Sequence, residues 1–221
     1  MTQVMTKSDP FPPLKMTFDD FVEWAIKNEI SAEWVDGEVE YKHVYTDPIT
    51  GEKYKLVSEE HSALVVFLVT ILNFFSAFHK LGRVYADQYL IRPTAGGQGR
   101  EPDVIFVAKG NARVRIGSKF MEGPADLVIE VVSEESKYRD RVTKKGEYEQ
   151  SGIREYWRLD PMTQASFFYV LDANGVYQEA SLDAEGKFYS MAIPGLWVKP
   201  EWFWQGTNAN PATILREWGL L

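Results

Sequence analysis

Hydrophobic and polar positions change their spacing repeatedly along the chain, and each change marks an element. The longest apolar run, ALVVFLVTILNFFSAF (63–78), is apolar on nearly every helical face and predicts a core helix that also lines a subunit contact. It is shorter than the roughly 20 residues that cross a bilayer and contains Thr70, Asn73 and Ser76, so no membrane association is expected. Before it, Phe18, Phe21, Val22 and Ala25 recur at helical spacing behind Thr17, with Asp19 and Asp20 in the first turn, and predict a short helix capped by Thr17. AEWVDGEVEYK (32–42) alternates on either side of Asp36-Gly37 and predicts a hairpin with a type I′ turn. DPITGEKYK (47–55) is polar and predicts a loop. After the long helix, GRVYADQYLIRP (82–93), PDVIFVAKG (102–110) and ADLVIEVVS (125–133) predict strands, the first two separated by the break TAGGQG. YRDRVTKKGEYEQSG (138–152) predicts a helix stopped at Gly152, and IREYWRLD (153–160) another strand. ASFFYVLDANGVYQEASLDAEGKFYS (165–190) predicts a meander turning at Asn174-Gly175 and Glu185-Gly186.

The order helix, three strands, helix, strand predicts an α/β fold: one sheet with covering helices. A single domain over 1–221 is expected, with 1–16 as an extended lead-in shaped by the prolines of PFPPLK and 199–221 as a C-terminal extension.

Composition narrows the function classes. The chain is 45% hydrophobic and 25% charged, ordinary globular usage that argues against disorder. Its formal charge of −8 does not favour a polyanionic partner at long range, so phosphate binding must rest on a local basic patch. The absence of cysteine excludes disulfides and thiolate metal sites and suits a cytoplasmic protein; MTQVMTKSDPFPPLK does not resemble a secretory signal.

Two carboxylates and one helix carry the candidate chemistry. Asp103 opens one strand, and Glu130 lies in the middle of the apolar strand LVIEV, on the face of Val128 and Val132. An isolated buried carboxylate costs several kcal/mol. Glu130 must therefore pair with a cation or a helix N-terminus, or bind a metal; two carboxylates on neighbouring strands suit a hard ion such as Mg²⁺ or Mn²⁺. In the following helix Asp140, Lys144 and Tyr148 share one face. From Lys137 to Arg158 seven Lys or Arg stand against four Asp or Glu, a local basic excess; such a helix is either a solvated face or a phosphate-binding one. Arg139, Arg141 and Arg154 are its candidate phosphate contacts. Lys145 points about 100° away from Lys144, so only one of them faces the carboxylates.

EWVDGEVEY, SEEHSALVVFLVTILNF, GRVYADQYLIRP, EPDVIFV, GPADLVIEVVSEESKYRDRVTKKGEYEQSGIREYWRLDP and IPGLWV follow one another in the order found in the Uma-two family of restriction-endonuclease-like proteins, within the PD-(D/E)XK nuclease superfamily. The chain resembles that family from Thr17 to Val198. The resemblance implies a restriction-endonuclease-like αβββαβ core, a Mg²⁺- or Mn²⁺-dependent endonuclease activity on nucleic acid, DNA in the first instance, and metal ligands Asp103 and Glu130. The superfamily places a lysine two residues after the glutamate, where this chain has Val132; the resemblance moves that role to Lys144 on the next helix. It also matches an early glutamate to Glu33, which would complete the ligand shell or position the water. Leu90 stands where relatives often carry an aspartate, with Asp87 and Gln88 nearby, and His61 matches a family histidine at the start of the long helix, where capping is the other reading.

A homodimer is expected, since two-fold pairs are the commonest oligomers and suit cleavage of two strands. The alternative function is a catalytically inactive binding module on a nuclease-like fold, favoured by the missing strand lysine and the overall charge. A glycosidase using two carboxylates would need no metal. Trp34, Trp157 and Trp197 are expected in packed strands, and EWFWQ (201–205) over a sheet edge or a subunit interface.

Overall fold

Every residue of the strand LVIEV is buried, which requires cover on both faces of the sheet that holds it. The structure, a computed structural model, describes residues 3–4, 15–42, 44–46, 53–55, 57–86, 89–133, 142–206 and 210–221. Its N-terminal part comprises β1 (Gln3–Val4), α1 (Phe18–Lys27), β2 (Ala32–Val35), β3 (Glu38–Tyr41), β4 (Val44–Thr46) and β5 (Lys53–Lys55). Next come α2 (Glu59–Phe78), β6 (Gly82–Ala86), β7 (Ile91–Arg92), β8 (Val104–Ala108), β9 (Arg115–Ile116), β10 (Met121–Glu122) and β11 (Leu127–Val131). Then follow α3 (Lys144–Ser151), β12 (Glu155–Asp160), β13 (Ala165–Leu171), β14 (Tyr177–Glu179), β15 (Phe188–Tyr189), β16 (Trp197–Val198), a 3₁₀ turn (Pro200–Trp204) and α4 (Pro211–Glu217).

The central sheet has the order β14-β13-β12-β11-β8-β6. Only β11 and β12 run parallel, and a parallel step needs a crossover, which the segment containing α3 supplies. The sequence α2, β6, β8, β11, α3, β12 is the expected αβββαβ core, in a mixed sheet with covering helices. One face of the sheet packs Val104, Phe106, Leu127, Ile129 and Trp157 against Leu68, Ile71, Leu72 and Phe75 of α2. The other packs Ile105, Val128, Tyr156 and Tyr169 against Tyr148 of α3 and Ile153. Gly152, at φ 75°, ends α3 in the left-handed region that glycine favours and turns the chain into β12.

Thr17 caps α1 by accepting from the Asp20 N–H, and Asp36 and Gln98 exchange hydrogen bonds at the tip of the β2–β3 hairpin. Asp36 (φ 51°) and Gly37 (φ 91°) supply the positive φ pair of a type I′ turn.

Six expectations change. The long helix is 20 residues rather than a short run and is covered on one side only: Val66, Phe74 and Phe78 are exposed. By length and composition it is the one helix among the described residues able to cross a membrane. The stretch from Gly82 to Pro93 splits, β6 joining the central sheet while β7 pairs with β10. The meander ends at β14, because Phe188 stacks on Phe168 at 4.1 Å and packs on Trp157, taking β15 under the sheet to pair with β16. The C-terminal aromatics bury in the α2-side core, with Trp202, Phe203 and Ile214 in that cluster and the Trp218 ring 5.1 Å from Phe75, rather than covering an edge. In the predicted lead-in Gln3–Val4 forms a strand with β5, and β5 itself, Lys53–Lys55, takes the end of the predicted loop 47–55 into pairing with β4; residues 5–14 and 47–52 lie outside the described residues.

Candidate active site

The register of β8 and β11 brings the two predicted carboxylates together. Val104 pairs with Ile129, and the Asp103 N–H donates to the Ile129 carbonyl at 3.1 Å, so Asp103 and Glu130 are the next opposed positions along this pair. The Asp103 carboxylate then extends the ladder: its Oδ2 accepts from the Val131 N–H at 2.7 Å.

Each carboxylate meets a different cation. Lys144, at the start of α3 and 1% exposed, places Nζ 2.9 Å from Glu130 Oε1 and 2.9 Å from Glu33 Oε1. Tyr148, one helical turn on, donates its hydroxyl to the same Glu130 Oε1 at 2.7 Å. Burial, with Glu130 and Glu33 alongside, pushes that phenol well above its ordinary range, so it stays a protonated donor. Lys42, just past β3, donates Nζ to Asp103 Oδ1 at 3.2 Å and to the Glu101 carbonyl at 2.5 Å. His61 places Nε2 3.4 Å from Asp103 Oδ2 while its backbone N–H donates to Ser58 Oγ, so it takes part in the helix cap and also faces the site. Burial alone would raise the Asp103 carboxyl; the Lys42 charge, His61 and the Val131 N–H outweigh it and hold the group well below the usual carboxylate range. Burial likewise would lower Lys42, yet Asp103 and Glu130 hold its ammonium above its ordinary value.

The hairpin explains how Glu33 reaches this point. Glu33 lies directly opposite Glu40, an arrangement of like charges that is unfavourable unless a cation enters. Arg100 supplies it: NH1 lies 2.9 Å from Glu33 Oε2 and 3.2 Å from Glu40 Oε2, and Nε and NH2 form a fork on Glu147, each at 2.7 Å. Burial opposes that charge, but Glu147 and Glu33 more than restore it and raise its pKa. The backbone bridge Trp34–Gly99 ties the hairpin to the segment leading into Asp103, the bridge Ile91–Arg100 ties β7 to it, and the Glu101 N–H donates to Glu33 Oε1.

All four predicted residues, Glu33, Asp103, Glu130 and Lys144, are therefore buried and brought into one ion network. Lys145 lies outside it, with Nζ 4.3 Å from the centre of the Tyr169 ring. Arg154 is exposed at the far end of β12 from Glu130; Arg139, Arg141, Asp140, Asp87 and Gln88 lie outside the described residues, and Leu90 is buried in the cluster around α1. Sequence reasoning missed Lys42 and Arg100. The pairing of Glu33 with Glu40 across a two-residue turn was a signal for the arginine; Lys42 carried none, because only tertiary packing brings the end of β3 to Asp103. Among the described residues no group of three or more His, Asp or Glu side chains forms a ready metal cage.

The comparisons agree with this architecture. A family model for Uma2, described as "Putative restriction endonuclease", matches residues 18–201. The fold is also similar to the crystal structure of "a putative nuclease belonging to DUF820" from Anabaena variabilis, with a TM-score of 0.61 and 15% identity over 87% of this chain and 98% of that one. No curated protein matches. The chain belongs to the Uma2 family.

Proposed function

We propose that the chain hydrolyses phosphodiester bonds in nucleic acid, DNA in the first instance, at Asp103 and Glu130 with a divalent cation. The observation that supports this best is Lys144, a buried ammonium set by the helix after β11 against the carboxylate in the middle of that strand. The oxygen donors fit a hard cation: Asp103 Oδ1 and the Glu101 carbonyl already gather round one positive charge, the Lys42 ammonium, and Glu130 stands at the adjacent position. Asp103 and Glu130 would hold Mg²⁺ or Mn²⁺, with Lys42 drawing back. Such an ion supplies Lewis acidity and neutralises charge gathering on the phosphate. Lys144 would stabilise the charge developing on the attacking oxygen and the pentacoordinate phosphorus. Glu33, clamped by Arg100, would fix the position of Lys144, and the neutral Tyr148 hydroxyl would orient Glu130.

Calorimetric titration with Mn²⁺ tests the reading. The parent should bind, and Asp103→Asn and Glu130→Gln should each lose binding while keeping the fold by circular dichroism. Undiminished affinity in both variants would sink the site. One observation favours the second reading, an inactive binding module: Glu33, Asp103 and Glu130 are matched by Arg100, Lys42 and Lys144, so the network is balanced as it stands. That module would show no gain in melting temperature with Mn²⁺.

A further inference from the structure

Arg158 is the one buried cation beside this site to which no carboxylate has been matched among the described residues. It is directly opposite Glu130 in the parallel pair β11–β12, so its Cα lies about 5 Å from that of Glu130 and both side chains leave the sheet on the same face. The residue is 8% exposed, and its buried Nε donates to no acceptor among the described residues. Its guanidinium lies over Phe167, with Cζ 4.1 Å from the ring centre. Two residues along β13 the arrangement repeats, with Lys145 over Tyr169, and the Phe167 and Tyr169 rings are near parallel, 6.5 Å apart. A strip of two cations on two aromatic rings therefore begins beside Glu130 and runs across β12 and β13.

Lys42, Arg100 and Lys144 each have a carboxylate to offset the cost of leaving water. For Arg158 the ring face recovers only part of that cost. An anion completes the arrangement, and a guanidinium presents a planar fork that matches two phosphate oxygens.

We infer that Arg158, with Lys145 beside it, forms a phosphate-binding subsite for the nucleic-acid strand, adjacent to the phosphodiester that meets Asp103 and Glu130; this rests on the nuclease reading above. The strand would run along β12 and β13. Arg216, exposed on α4, which packs against α2 on the other side of the sheet, stands outside this path.

Binding of a fluorescein-labelled, mixed-sequence DNA duplex, followed by anisotropy in Ca²⁺ over a salt series, tests the subsite. Losing one phosphate contact changes the slope of log K against log salt by about 0.9, which is about eightfold in affinity at 0.1 M salt. Arg158→Gln should flatten the slope by that amount, Lys145→Gln by the same or less, and Arg158→Lys should keep it. Arg216→Gln should leave it unchanged. Lys145→Gln carries the test should Arg158→Gln fail to fold. An unchanged slope in both the Arg158→Gln and Lys145→Gln variants, or equal flattening by Arg216→Gln, overturns the subsite and leaves the nuclease reading standing if Mn²⁺ binding still depends on Asp103 and Glu130. A parent protein that does not bind the duplex overturns both.

Discussion

The two faces of the central sheet are built from the same strands, at alternate residues, and are buried to a similar degree, yet they use burial in opposite ways. On the α2 face Trp157 touches Phe168, Phe188 and Phe203 edge-on or tilted, and the contacts are dispersion and excluded water. On the α3 face Asp103, Glu130 and Lys144 are removed from water; Lys144 pairs with Glu130, and Lys42 and the Val131 N–H with Asp103. Two buried carboxylates show the contrast. Glu155, on the α2 face, accepts from Trp157 Nε1 at 2.6 Å and from the Met191 and Ala192 N–H groups, with no cation among the described residues; burial outweighs those donors and its pKa is raised. Asp103, near Lys42, is depressed. Similar burial thus yields a carboxyl that resists ionisation on one face and one that resists protonation on the other, and only the second kind suits cation chemistry at neutral pH.

The largest effects should separate the faces by their response to rescue. Trp157→Ala removes an indole from a packed aromatic cluster and should cost about 3–5 kcal/mol in urea melts. Arg100→Met takes from buried Glu33 one of its cations and leaves Lys144 in place; it should cost about 3 kcal/mol, at the low end for a broken buried pair because Lys144 remains and Glu40 and Glu147 are partly exposed and regain water. Adding Glu33→Gln should recover part of the Arg100→Met loss and none of the Trp157→Ala loss. Strict additivity in both double variants would mean that the α3 face is held by packing like the other.

Much of this contrast is legible from residues alone. The period of two in LVIEV places Glu130 opposite the face of Leu127 and Ile129, and Gly152 marks the end of the helix that carries Lys144. What the sequence does not disclose is the third dimension of the ion network. Lys42, Glu33 and Arg100 come from a hairpin and a connecting segment whose meeting depends on the Trp34–Gly99 bridge, which has no local signature. β15 escapes for a similar reason: its turn residues fit a meander, but burial of Phe188 beneath the sheet outweighs edge pairing.

A subtler test uses pH. Glu155 has a raised folded pKa, so between the ordinary glutamate value near 4.3 and that raised value the folded state holds a proton that the unfolded state has released. Stability from this group therefore falls as pH rises through that window and is level above it. Asp103 has the opposite sign: its contribution is present above about 3.9 and is lost as pH falls. Urea melts at steps from pH 4 to 7 should show the parent losing stability relative to Glu155→Gln as pH rises. A pH-independent difference would mean that Glu155 is as well compensated as the carboxylates of the α3 face, and the contrast between the faces would fail.

The smallest effect falls on Lys145, and it checks the helix register on which the α3 face depends. Lys144 and Lys145 are neighbours, and a helix turns about 100° per residue, so one ammonium can enter the carboxylate network and the other must leave it. Lys144 enters it, while Lys145 rests on Tyr169. Lys145→Ala should lose only that ring contact, about 0.5–1 kcal/mol, and should leave Mn²⁺ affinity unchanged. Lys144→Met should cost several times more, because Glu33 and Glu130 are then buried around a missing charge. Were the two costs reversed in urea melts, α3 would be rotated by one residue: Lys145 would hold Glu130, Tyr148 would turn away from it, and the α3 face would lose the donor set that distinguishes it from the α2 face.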